Sequence, residues 1–350
     1  MLALRTALTD LVGCRRPIQQ AAMGSTANDL VVAVCRAGGI GTVGAPLLAP
    51  GRLDEALDDV LARTDGAAGV VAVNFIIPFL DLEAHGPALD IAARRARIVE
   101  FFWGQPDPAL VERVHAGGAL AIWQTGSATE AEQAAEAGCD AVIAQAVEAG
   151  GHVRGTVALL PLLAEVVERV AIPVLAAGGI STPRALAGAL AAGASGARLG
   201  TRFAATREAP FHPRYQAALV EAEAEEAVHS EAFSVFWDAA HRVLQRSIDR
   251  ASAGSDPFVG RTTLAGEEID VQRWTGLVPT ADSTGDIEAM PMFAGQGVGA
   301  VRAVEPAGEI VERLAGGAAT VLAKIRHRDE AVELPAPDPA PASVNPGGTP

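Results

Sequence analysis

Lysine is almost missing from this chain. Its 350 residues contain one, Lys324, close to the C-terminal end. Schiff-base aldolase chemistry and pyridoxal phosphate both need a lysine amine in the site, so neither is expected. Cysteine is nearly as scarce: Cys14, Cys35 and Cys139 lie far apart with no CxxC or Cys/His spacing. That pattern suits reduced thiols in a cytoplasm better than a disulfide frame or a zinc site. Long apolar runs are absent too, since the most apolar window, "LVVAVCRAGGIGTVGAPLLAP", is broken by arginine, glycine and proline. Neither a membrane span nor a signal peptide is expected, and the protein is read as cytoplasmic. With a formal net charge of −15, no general nucleic-acid or anionic-membrane surface is expected either.

What is present is an alternation of short β-rich runs and helical patterns as far as about residue 205. The runs are "PIQQAAM" from 17, "GIGTVGA" from 39, "GVVAVNF" from 69, "ARIVEFF" from 96, "GALAIWQ" from 118, "CDAVIAQ" from 139, "IPVLAAG" from 172 and "ASGARLG" from 194. Short, apolar on both faces and bounded by Gly or Pro, they read as parallel strands covered on both sides. Helix signals fall between them: Asp107 with Pro108 and a stop at Gly117, Thr182 with Pro183 and Gly193, and the capping-box spacing Ser127 to Glu130. Eight such units specify an α/β fold, a (β/α)8 TIM barrel over 1–221 and 291–330, with a doubly wound open sheet as the alternative. Residues 222–290 lose the rhythm and are read as a smaller, mainly helical insertion or lid. The Pro-rich 331–350 is read as a disordered tail.

Barrels place their chemistry at the C-terminal strand ends. Here those ends carry "AAMGS" (Ala21 to Ser25), Asn74, Gln124 with Thr125, Gln145 running into "EAGGH", "AGGIS" (Ala177 to Ser181) and "GTRF" (Gly200 to Phe203). Metal-ligand clusters and paired carboxylates are missing, which disfavours metal hydrolysis and glycoside chemistry. Amides and exposed backbone suit a large, flat, polar cofactor. Gly178, Gly179, Gly200 and Thr201, after the seventh and eighth strands, fit a phosphate; the bland reading is that the glycines only make tight turns. Gly150 and Gly151 suggest close approach of something to the backbone. His152, beside them, is either an exposed loop histidine or a proton-transfer group. Asn74 and Gln145 either satisfy neighbouring loops or, with Gln124, bond the edge of a heterocycle. "AGQGVG", 294 to 299, is read as a turn near the barrel mouth.

These motifs, together with "AQAVEAGGHVRG" and "MPMFAGQGVG", resemble the nitronate monooxygenase family, formerly the 2-nitropropane dioxygenases, over most of residues 15 to 325. FMN-type enoyl-acyl-carrier-protein reductases look similar through "EAGGH" and "AAGGI". The resemblance implies an FMN-containing barrel. Gly178, Gly179, Gly200 and Thr201 match the family's FMN-phosphate loops, while Ala22, Met23, Asn74, Gln145, Gly150 and Gly151 match positions around the ring and ribityl chain. His152 matches the catalytic histidine. The implied reaction is oxidation of a nitronate, or of a nitroalkane deprotonated by His152, with O2 to a carbonyl compound and nitrite. An NAD(P)H-dependent FMN reductase of an enoyl thioester or quinone stays open, with Arg202, Arg207 and Arg214 as a docking patch, as does a flavin-binding barrel without turnover. A homo-oligomer is also left open.

Overall fold

The computed structural model describes residues 4–24, 27–46, 48–264 and 266–329, with side chains to 325. Ser25 and the 331–350 tail therefore lie outside the described residues.

All eight apolar runs become parallel strands. They are β1 (Ile18–Gln20), β2 (Ile40–Gly44), β3 (Val70–Ile76), β4 (Ile98–Phe102), β5 (Leu120–Thr125), β6 (Ala141–Gln145), β8 (Val174–Ala177) and β9 (Gly196–Leu199). A two-residue strand, β7 (Gly151–His152), stands apart from them. The sheet closes when β9 pairs with β1, Ile18 opposite Ala197, giving a barrel and not an open sheet. Helices α2 (Asn28–Arg36), α3 (Pro50–Thr64), α4 (Leu82–Arg95), α5 (Pro108–Gly117), α6 (Ala128–Glu136), α7 (Leu159–Arg169) and α8 (Pro183–Ala191) cover its outside.

The capping signals largely act as the sequence implies. Asp107 and Thr182 accept from Ala109 N and Ala185 N, and each has proline at the following position. The first of these helices takes in Gly117 and is stopped by Gly118 at φ 94. Ser127 caps α6, but Glu130 does not close the box. Its carboxylate accepts from Gly126 N at 2.8 Å and from Arg154 Nε at 2.7 Å.

Inside the barrel, the lower inward positions Ile40, Ile98, Ile122, Ile143 and Leu175 are fully buried and meet Leu8 and Val12 of α1 (Ala7–Val12), which plugs the bottom. A Cβ on Gly196 would come 2.5 Å from Leu8 Cδ2, so α1 sits directly on the sheet. Each fully buried aliphatic side chain contributes about 1.5–3 kcal/mol. Two residues further along β2 to β6 the interior turns polar: Thr42, Asn74, Glu100, Gln124 and Gln145 are all buried. The barrel is thus dry below and polar above.

Beyond β9 come α9 (Thr201–Ala204), α10 (Pro213–Glu221) and, after residue 305, α12 (Ala307–Asp329). The last of these packs on α8 and α2, so the chain returns to the barrel as expected.

Residues 222–290 differ from expectation, being richer in strand than in helix. They hold β10 (Ala227–Ser230), β11 (His241–Leu244), β12 (Phe258–Leu264), β13 (Glu267–Gln272) and β14 (Thr284–Gly285) against a single α-helix among the described residues, α11 (Gln245–Ala253). The polar sequence misleads because β12 and β13 form a hairpin exposed on one face. Such strands are largely polar and exposed and lack the continuous apolar run of a barrel strand.

Candidate active site

One cavity of about 330 Å³ opens at the C-terminal end of the barrel. The strand ends bring every candidate to it: Ala22, Met23, Asn74, Gln124, Gln145, Gly150, Gly151, His152, Gly178, Gly179, Gly200 and Thr201 all line its wall. Among the described residues, no cluster of His, Cys, Asp and Glu could hold a metal ion.

The loop after β6 is rigidly held. Gln145 Nε2 donates to His152 O at 2.8 Å, and Gln145 Oε1 accepts from Arg154 N at 3.2 Å. Both polar ends of Gln145 therefore serve the loop, so its main work is to pin His152, with the cavity wall as a secondary role. The short β7 adds to this by pairing antiparallel with β11, His152 opposite His241 and Gly151 opposite Arg242. Arg242 in turn donates to Val147 O at 2.8 Å and Ala227 O at 2.6 Å.

The close approach that the double glycine suggests is found at Gly150, and its partner is the chain itself. A Cβ on Gly150 would overlap Gly295 N and lie 2.6 Å from Ala294 C, so the chain's own 294–295 backbone takes that space. Gly151 is needed for its φ of 76, with nothing within 4 Å of its Cβ position. "AGQGVG" is what fills the gap. Gln296 N donates to Glu148 O and Gly295 N to Thr201 Oγ1, both at 2.9 Å, tying the histidine loop to the end of β9. Gly295 and Gly297 reach the cavity wall, in keeping with a turn at the barrel mouth.

The His152 ring lies among aromatics: Trp237 with centroids 3.9 Å apart at 32°, Phe293 at 5.3 Å and Trp103 at 6.3 Å. Its Nε2 is buried with no hydrogen-bond partner among the described residues. Burial, reinforced by the nearby His241 ring, pushes the imidazole down to about 3. Burial thus favours the neutral ring, which keeps a lone pair or an N–H that no described residue uses.

Several cavity residues escape sequence reasoning. Tyr215, Trp237 and Phe293 come from beyond residue 205, where no strand rhythm marks an inward position. Tyr215 Oη donates to Phe293 O at 2.6 Å, fixing that wall. Trp103 holds a left-handed φ of 64, unusual for a bulky residue and invisible in sequence. His241, one of the histidines without a sequence signal, is buried and accepts from Phe233 N at 3.3 Å. Arg198 could have been found by its alternation with Gly196 on β9. Arg202, by contrast, is buried and paired with Glu305 at 2.8 Å, which removes it from any docking patch.

The sequence profile described as nitronate monooxygenase matches residues 85–317. The chain belongs to the nitronate monooxygenase family. Membership places it among the flavin-dependent oxidoreductases, as the motifs imply. It is similar to nitroalkane oxidase from Streptomyces ansochromogenes, at 29% identity and TM-score 0.72, with 92% of this chain and 99% of that one aligned. FabK from Thermotoga maritima aligns at 26% identity and TM-score 0.74, over 93% and 99% of the two chains. A curated relative, (3aS,4S,5R,7aS)-5-hydroxy-7a-methyl-1-oxo-octahydro-1H-indene-4-carboxyl-CoA dehydrogenase of Rhodococcus jostii, is 39% identical over 209 residues. That match spans 59% of this chain and 57% of the relative's own length.

Among the described residues, no helix is long and apolar enough to cross a membrane.

Proposed function

We propose that the cavity binds FMN and that the protein oxidises alkyl nitronates, or nitroalkanes deprotonated by His152, with O2 to a carbonyl compound and nitrite. The observation that carries this reading is His152 Nε2, a buried polar atom without a partner among the described residues, on a histidine at the wall of a cavity lined by amides and glycines.

The residues present fit the cofactor. Volumes of about 300–1,000 Å³ are usual for small-molecule and cofactor sites, and this cavity, at about 330 Å³, falls within them. A Cβ on Gly200 would meet only Ala21 Cβ at 3.9 Å, so the space over the Gly200–Thr201 turn is cavity and free of protein. Gly178 and Gly179, at φ 119 and 68, shape the opposing turn, and Ser181 adds a hydroxyl. These would hold the phosphate. Asn74, Gln124, Ala22 and Met23 would border the ring system.

FMN, when bound, supplies the electron-accepting and O2-reducing chemistry. The chain supplies the rest. His152 is neutral, so it can take a proton from carbon without first losing one, and an anion forming beside it would raise its basicity from the depressed resting value. Trp237 and Phe293 pack on its ring at the cavity wall and would offer apolar faces to the body of the substrate, with Trp103 packed beside the ring. Gln145 and Arg242 keep the ring in place.

A second reading, an FMN-dependent reductase or dehydrogenase acting on an acyl thioester with NAD(P)H as partner, is supported by the likeness to FabK and to the CoA-thioester dehydrogenase. Steady-state assays separate the two. Nitronate should produce nitrite with O2 uptake in the absence of NADH. NADH consumption that depends on an enoyl thioester, with no nitrite from nitronate, would replace the first reading by the second.

A further inference from the structure

Directly beneath the cavity lies a charged pair with no part in the proton transfer proposed above. Arg198 on β9 ion-pairs with Glu100 on β4 through its Nη1. In the closed strand order these two strands are diametrically opposed, so the guanidinium lies near the barrel axis. Glu100 is 0% exposed and Arg198 8%, and only Arg198 reaches the cavity wall. Gln19 Nε2 also donates to Glu100, and Asn74 Nδ2 approaches it at 3.5 Å.

Such an arrangement is costly. A buried ion pair often contributes less than the hydrophobic residues that could replace it, and the layer just below shows that this barrel can be filled with Ile and Leu. Burial pushes the Glu100 carboxyl up and opposes its charge, with Arg198 pulling the other way. Among the described residues Glu100 is the only side chain that Arg198 bonds. The rest of its N–H fork is left for what lies above it.

We propose that Arg198 is the residue that stabilises negative charge on the reduced flavin ring, and that Glu100 is the positioning residue that holds its guanidinium at the centre of the cavity floor. This rests on the FMN reading above. A fixed cation beneath a ring that becomes anionic on reduction favours the reduced state, because the interaction is stronger after electron transfer than before.

The test is the two-electron midpoint potential of the FMN-loaded full-length protein. Arg198→Gln should shift the oxidised-to-reduced equilibrium at least about tenfold toward oxidised flavin, equivalent to a potential lower by about 30 mV. Arg198→Lys, which keeps the charge, should stay near wild type. Since Arg198→Gln strands a carboxylate in the core, the double variant Glu100→Gln/Arg198→Gln restores neutrality and should show the same fall. A wild-type potential in FMN-loaded Arg198→Gln or in the double variant overturns the proposal, as does a fall in Arg198→Lys equal to that in Arg198→Gln. Failure of the wild-type protein to take up FMN overturns both this proposal and the reading it rests on, and is seen before any variant is made.

Discussion

The floor and the roof of the cavity are built on different principles. The floor comes from inward positions of the barrel strands between residues 19 and 200, where Gln19, Asn74, Glu100 and Arg198 follow the strand period and sit one layer above a dry aliphatic plug. The roof comes mostly from residues after 205, together with the His152 loop, with Trp103 packed against Trp237, and its aromatics converge from irregular segments. The floor carries charge, and the roof carries a histidine from which burial has removed it. The contrast teaches a division of labour: the sheet's strand period sets the charged floor, while hydrogen-bonded loops from distant parts of the chain set the roof around His152.

His152→Ala is the sharpest cut through the roof. It should lower kcat/KM for neutral nitroalkane by about 10²–10⁴-fold, the usual share of a general base, while FMN content stays at wild type. Preformed nitronate needs no deprotonation and should be oxidised with a much smaller loss. Equal losses on the two substrates would mean that His152 does not take the proton.

Below the floor, Ile143→Ala should cost about 2–5 kcal/mol of stability, measured by denaturant unfolding, because its buried site is enclosed on all sides. The flavin spectrum of the folded variant should not change. Where floor and roof meet, Gly150→Ala forces a Cβ into the 294–295 backbone, and a loss of about 1–3 kcal/mol is expected, with weaker FMN retention.

A further difference between floor and roof is in pH. His152 is held neutral down to about 3 by burial. Between that value and the ordinary histidine range, near 6.5, the unfolded chain binds a proton that the folded one does not, so this residue's contribution to stability is complete above about 6.5 and falls with pH below it. His152→Phe should flatten the loss of stability between about pH 6 and 4 relative to wild type in matched thermal melts. The kcat/KM profile should likewise show no acid limb near 6.5. Trp237→Ala, which opens the ring to water, should move that limb upward toward it.

The same contrast explains what the sequence reveals. Barrel strands are short, apolar runs between Gly and Pro, and a period of two places Asn74, Gln124 and Gln145 inward without further information. Trp237, Tyr215 and Phe293 have no such period. Their convergence depends on long-range pairing, such as β7 with β11, that no local pattern encodes. Residues 222–290 hide their strands for a related reason, since a hairpin with one wet face is as polar in sequence as a surface helix. Gly150 shows a finer limit: its glycine was legible as a close approach, but the partner turned out to be residues 294–295 of the chain itself.

The central claim is tested most directly by an anaerobic visible spectrum of the FMN-loaded protein, mixed in parallel with propyl nitronate and with NADH. Loss of the oxidised flavin bands with nitronate, and none with NADH, is the predicted result. Bleaching by NADH with no response to nitronate would contradict it.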